Sequence, residues 1–424
     1  MDKKQEDFIK TLQNNVAFQL SLTSKELFHS NFLAWLAEDK DTTDIFNDVL
    51  RNCFGAKDLA FDPDEMMVMR EYKNFDFCIC KRLKNENEDV KETEKTEKEF
   101  VPGNVLFVLE NKFKSLPYKE QLEKYQKKVE KGNKKGKPVQ YCLLSLAQGF
   151  KDFGKDWKVA TYEEYAHALR NANKSKNKNS FKKKLINIYC KFIKTFSDQI
   201  KDSLQDLYDK EVDKLEAKVD SKVEWEILTN HQEFQTIRCN DVWQKIVMQH
   251  CARFLAQKVK ETFKGKKEVT MAHSDKDIWL KTGTENKGKF FTMVNFFHGE
   301  ALLELKYLIP EKGLLTLQQQ GNHPLRIGIL ALNKNNGITK TLKKSNLEAW
   351  KNKVKVHLKE CGLEGLTILS QKGQEEGKSL KSYGPFYYYE LKEKITPIEK
   401  TLEDMVKEME RLIPIIDSLS QTDK

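Results

Sequence analysis

The run Val105-Leu106-Phe107-Val108-Leu109 ends, with no turn residue between, on Glu110-Asn111-Lys112. An apolar run of this length, rich in β-branched and aromatic residues, reads as a buried strand. Alternate side chains of a strand share a face, so Glu110 and Lys112 project together from its end. A second misfit lies upstream, where Asp76 interrupts Phe75, Phe77 and Ile79. If the strands around 74–81 and 104–112 pair antiparallel, Asp76 lies beside Glu110. Two carboxylates beside one ammonium are costly to bury, by several kcal/mol when unpaired. A bound metal or a tight ion pair is the physical remedy.

Around these strands the pattern alternates. Helices are expected over 5–20, 24–37 and 43–54, with Ser24 as N-cap of the second. Two β-like runs span Met66–Arg82, and residues 84–103, almost all charged between 84 and 99, form an insert between strands. A strand at 104–112 leads to a helix over 118–131, a loop at 132–138 and a buried strand at 139–146. A helix at 162–171, a Lys/Asn-rich loop at 171–180 and helical periodicity over 181–217 close a first domain. Beyond about residue 222 the strands group together: 267–272, 277–282, 289–297, 301–309, 325–332, 366–370 and 386–391. Helices are expected at 240–263, 346–360 and 397–419. Such grouping predicts an α+β second domain. The expected division is 1–220 and 221–424.

With 424 residues the chain exceeds one ordinary core. Its net charge of +10, carried by lysine-rich stretches, suits a polyanionic partner. No run of about 18 apolar residues is present, so no membrane span is expected, and the charged start does not read as a secretory leader. The eight cysteines form no CxxC pair and do not cluster with histidines, which argues against structural zinc and for reduced thiols in a cytoplasmic setting.

Three stretches together resemble the PD-(D/E)xK nuclease superfamily, and within it a prokaryotic branch: ELFHSNFLAWL (26–36), REYKNFDFCI (70–79) and VLENKFKSLPYKEQLEKY (108–125). The resemblance covers roughly the first 150 residues. It implies a restriction-endonuclease-like α/β core, a mixed sheet flanked by helices, with the C-terminal α+β domain serving specificity, sensing or assembly. It places the family's aspartate at Asp76 rather than at Asp64, which sits in the turn-like DPDE. It further implies that Glu26 adds a carboxylate to the metal shell and that Gln121 lies near the site. Glu26 also reads as an ordinary first-turn acid stabilised by the helix dipole, and both readings stand.

The roles follow from charge. Asp76, Glu110 and the Asn111 carbonyl are oxygen donors suited to Mg²⁺ or Mn²⁺, and the resemblance adds Glu26 to them. Lys112 would orient the attacking water and stabilise charge developing on the phosphate. Lys127, Lys128, Lys134, Lys135 and Lys137 are the candidate phosphate contacts; a solvated surface is their alternative. The resemblance implies Mg-dependent hydrolysis of nucleic acid, DNA before RNA, in a restriction-like or antiviral setting. A homo-oligomer or a defence partner protein fits this setting. A catalytically silent nucleic-acid-binding protein, or a partner-regulated one, is the competing reading.

Overall fold

The computed structural model describes residues 3–22, 25–84, 100–113, 119–133, 138–146, 156–176, 179–207, 224–225, 231–264, 268–271, 289–297, 300–309, 313–320, 325–331, 381–383, 386–390 and 398–421. The chain divides into two compact units: residues 1–203 with 236–238, and residues 204–235 with 239–424.

In the first unit, helices α1 (Lys3–Gln13), α2 (Val16–Ser21), α3 (Lys25–Glu38) and α4 (Thr43–Asn52) precede strands β1 (Met66–Tyr72), β2 (Phe75–Lys84) and β3 (Phe100–Lys112). Then come α5 (Lys119–Gly132), β4 (Gln140–Ser145), β5 (Trp157–Thr161), α6 (Tyr162–Lys176) and α7 (Ser180–Leu207). Among the described residues the strands form one sheet in the order β1-β2-β3-β4-β5. β1, β2 and β3 are antiparallel neighbours, whereas β3, β4 and β5 run parallel. This is a mixed sheet flanked by helices, the architecture of a restriction-endonuclease-like core.

Local chemistry sets the hairpin that presents Asp76. Tyr72 pairs with Phe75, leaving a two-residue turn at Lys73-Asn74 with φ of 53° and 69°. Both central residues of such a turn need positive φ, which asparagine tolerates well. From Phe77↔Leu109 the β2–β3 register extends one step to place Asp76 opposite Glu110. Asp64 lies outside the sheet, its amide bonded to the Asp62 carboxylate at 2.9 Å in an exposed turn.

Several expectations need correction. The helix read over 5–20 is two helices. Asn15 is extended (φ −94°, ψ 112°), its side chain accepts from the Phe18 amide at 3.1 Å, and so it caps α2. The loop read at 171–180 is helical to Lys176. Asn173 is buried and donates to Lys183 O and Asn187 Oδ1, both at 3.0 Å, so a tertiary hydrogen-bond set stabilises a sequence of low helix propensity. β5 was not anticipated; its Trp157 and Ala160 are buried at the end of the sheet order. The expected cap Ser24 and residues 85–99 of the charged insert lie outside the described residues.

The second unit contains α8 (Gln232–Thr236), α9 (Asn240–Thr262), strands β6 (Val269–Met271), β7 (Phe290–Phe297), β8 (Glu300–Ile309), β9 (Gly313–Gln320), β10 (Arg326–Ala331), β11 (Lys381–Tyr383) and β12 (Phe386–Glu390), and α10 (Ile398–Gln421). Its sheet order is β11-β12-β10-β9-β8-β7-β6. α9 packs on β7 and β8 and against α10, burying Trp243, Ile246, Leu255, Met405 and Met409. Grouped strands with helices gathered beside them match the α+β expectation. β9 escaped the sequence reading because GLLTLQQQ ends on three glutamines, yet Gln319 and Gln320 are buried there. Segments 277–282, 346–360 and 366–370 lie outside the described residues.

Candidate active site

Adjacent residues of β3 point to opposite faces of the sheet, and the site uses both. On one face, Lys112 Nζ lies 2.6 Å from Glu110 Oε1, with the two side chains 10% and 1% exposed. Gln121 of α5 donates to the same Glu110 oxygen at 3.0 Å and to the Tyr125 hydroxyl at 2.8 Å. On the other face, the Asn111 side chain donates to the backbone carbonyl of Glu26 on α3 at 2.9 Å, and its Oδ1 accepts from the Tyr162 hydroxyl of α6. So α5 and α3 cover opposite faces of the strand.

Asp76 joins this group from β2. Its Oδ2 accepts from the Asn111 backbone amide at 2.7 Å. An amide and carbonyl of one strand residue point to the same side, so the Asn111 carbonyl also points toward β2. The next carbonyl, Lys112, accepts from Leu146 at 3.0 Å, as the alternation requires.

The electrostatics show strain of one sign. The Glu110 pKa is raised to about 8: burial is the largest cause and the charges of Asp76 and Glu26 add to it, while Lys112 opposes them. Burial raises Asp76 as well, against the pull of Lys112 and the Asn111 amide. Burial works against the Lys112 charge, but Glu110, Asp76 and Glu26 outweigh it, and its pKa is raised. Carboxylates thus outnumber the single ammonium that faces them. Oε2 of Glu110 is buried without a hydrogen-bond partner. A buried acceptor in that state costs about 1–3 kcal/mol unless something fills the position.

This donor set suits a hard divalent cation: carboxylate oxygens with excess negative charge, an orphaned Oε2, and a main-chain carbonyl on the same side. Among the described residues no three His, Cys, Asp or Glu side chains are gathered as a ready metal-holding group. Glu26 is half-buried at the start of α3 and close enough to act on Asp76, Glu110 and Lys112 through its charge.

The candidate lysines and the other polar side chains near the site separate clearly. Lys127 is exposed on α5, and Lys128 is committed to the Lys73 carbonyl at 2.6 Å. Lys134, Lys135 and Lys137 lie outside the described residues. His29 is fully buried, bonded through Nδ1 to the Tyr189 hydroxyl at 2.7 Å and packed 4.2 Å from the Phe113 ring. Burial lowers its pKa to about 3, so it is a neutral core residue. Cys78 and Cys80 are buried behind Asp76, their sulfurs 3.8 Å apart. Glu71 is exposed, with φ of 52° at the hairpin end. Tyr162 and the Asn111 side chain were not singled out in the sequence. Their contact spans 51 residues and leaves no local periodicity to read.

Gln121 supports a direct prediction. Its amide steers Glu110 Oε1, so Gln121→Ala should weaken divalent-metal binding about 10-fold, the usual scale for a group that orients a ligand. Calorimetric titration with Mn²⁺ measures this. Unchanged affinity would reduce Gln121 to a packing residue.

A mixed five-stranded sheet carrying this arrangement at the end of its central strand defines a restriction-endonuclease-like domain. Residues 14–191 match a family of the PD-(D/E)XK nuclease superfamily. No curated protein and no solved structure matches the chain.

Proposed function

We propose that the first unit is a metal-dependent nuclease that hydrolyses phosphodiester bonds of nucleic acid, DNA in preference to RNA. One observation carries this reading: Asp76, Glu110 and Lys112 converge from two antiparallel strands, with the Glu110–Lys112 contact at 2.6 Å and Asp76 held by the intervening amide. Asp76 and Glu110, with Glu26 and the Asn111 carbonyl, would hold Mg²⁺ or Mn²⁺. The bound metal would polarise the scissile phosphate and lower the pKa of an attacking water. Lys112, restrained by Glu110, presents an ammonium to that water and to the charge that grows on the phosphate oxygens. Gln121 keeps the Glu110 carboxylate in register.

The excess of basic over acidic residues favours a polyanionic substrate, with Lys127 the exposed candidate contact among the described residues. A second unit with its own sheet suits a restriction-like or antiviral role, in which it binds DNA, senses a trigger or mediates assembly. The test incubates the protein with plasmid, linear duplex, single-stranded DNA and RNA, each with Mg²⁺, Mn²⁺ or EDTA. DNA should be cut only with a divalent ion, and Asp76→Asn should be inactive. RNA cut in preference to DNA would reassign the substrate. Cleavage that survives in EDTA would remove the metal from the reading.

A further inference from the structure

Among the described residues, the residue between the two charged members of the strand motif bonds to β2, α3 and α6. The Asn111 side chain is fully buried. Its Nδ2 donates to the Glu26 carbonyl at 2.9 Å, with Ser30 Oγ at 3.5 Å, and its Oδ1 accepts from Tyr162. Its backbone amide holds Asp76 at 2.7 Å. The amide orientation follows from chemistry. A backbone carbonyl can only accept, so the NH₂ must face Glu26, and the oxygen is left for the Tyr162 hydroxyl.

Asn111 therefore ties three elements to β3: β2 through Asp76, α3 at the residue that bears the Glu26 carboxylate, and α6 through Tyr162. The tie to α3 grips the backbone of Glu26 itself. A shift of α3 along the sheet would carry the Glu26 carboxylate away from Asp76 and Glu110, and the Asn111 amide opposes that shift. Alanine would leave the buried Tyr162 hydroxyl without this acceptor and the Glu26 carbonyl with Ser30 Oγ at 3.4 Å as its side-chain donor, so the tie is costly to lose.

We propose that the Asn111 side chain is a positioning residue that sets the Glu26 carboxylate against the Asp76–Glu110 pair, with Tyr162 fixing the orientation of its amide. The proposal rests on the metal-dependent reading above and assigns Asn111 a side-chain role distinct from its main-chain carbonyl. It differs from a purely structural role in one respect: its effect on metal affinity must pass through Glu26.

The experiment is a double-mutant cycle on Mn²⁺ affinity, read by calorimetry on the full chain, with thermal melting of each variant. Asn111→Ala should weaken Mn²⁺ binding about 10-fold, and the same substitution in a Glu26→Gln background should cost less than about 2-fold, because coupled residues are not additive. Tyr162→Phe should give a smaller loss, about 3-fold, that likewise vanishes in the Glu26→Gln background. It keeps the proposal testable if Asn111→Ala does not fold. Equal losses in both backgrounds would overturn the proposal, since Asn111 would then act through Asp76 or through general stability. A Glu26→Gln protein that binds Mn²⁺ like wild type would overturn it too. A wild-type chain that binds no Mn²⁺ would instead sink the metal-dependent reading, and this proposal with it.

Discussion

Lys112→Met is expected to lower the rate of phosphodiester cleavage by a factor on the order of 1,000 and to destabilise the domain in a pH-dependent way. Methionine keeps the length and apolar stem of lysine but removes the ammonium. Glu110 then has no cationic partner at 2.6 Å, and its side chain is only 1% exposed. Removing one member of a buried pair costs about 3–5 kcal/mol when the other must remain charged. Near pH 6 Glu110 can stay protonated, because burial already holds its pKa at about 8. The stability loss should therefore be small near pH 6 and approach about 3 kcal/mol near pH 9. Urea unfolding in EDTA at both pH values measures this, alongside single-turnover cleavage. A variant that cuts like wild type would show that Lys112 has no part in catalysis.

The metal-free protein should lose stability as pH rises from about 6.5 to about 8, and a divalent ion should remove that loss. The sign follows from proton counting. Between its unfolded value of 4.5 and its folded value of about 8, Glu110 binds more protons in the native state than in the unfolded one. Unfolding then releases a proton, and stability falls with pH, by at most about 1.4 kcal/mol per unit for one group. Asp76, raised by burial, adds to the same slope from a lower starting point. Lys112, whose pKa is also raised, is charged in both states over this window; its contribution fades only above about 10.5. His29 and His250 oppose the trend below 6.5: both stay neutral in the fold, so the unfolded chain takes up the protons and stability falls as pH drops. Metal binding must displace the Glu110 proton, so affinity for Mg²⁺ should rise with pH up to about 8 and a proton should be released on binding. Melting temperatures in EDTA and in Mg²⁺ across pH 5–9 test the stability claim. Calorimetry in buffers of different ionisation enthalpy counts the proton. A flat profile between pH 6.5 and 8 without metal would show that Glu110 is not held protonated.

How much of this was legible beforehand depends on the range of each interaction. The faces of β2 and β3 were readable, because alternation in a strand is a local rule and the charged residues broke apolar runs. Asp76 could be preferred to Asp64 for the same reason: one lies inside an apolar alternation and the other in a turn. Gln121 and Tyr125 share a helix face through i,i+4 spacing, and their hydrogen bond at 2.8 Å follows from it. The break at Asn15, the helix through Asn173 and the glutamine-ended strand β9 were not readable. Each is held by partners that local propensity does not see: the Ile188 carbonyl for the Asn15 side chain, the Lys183 carbonyl for Asn173, and the sheet interior for Gln319 and Gln320.

The sequence by itself determined which residues could form a charged site: an aspartate and a Glu-x-Lys, each embedded in apolar strand. Periodicity is enough to place them on shared faces. Only the tertiary structure decided how that site is closed. It directed Gln121 and Lys112 to the same oxygen of Glu110 and left the other oxygen buried and unpartnered. It also turned Asn111 from a spacer into the tie between Asp76, Glu26 and Tyr162. Those contacts join residues 35, 85 and 51 positions apart. Their geometry depends on helix packing across both faces of the sheet, which no local pattern encodes.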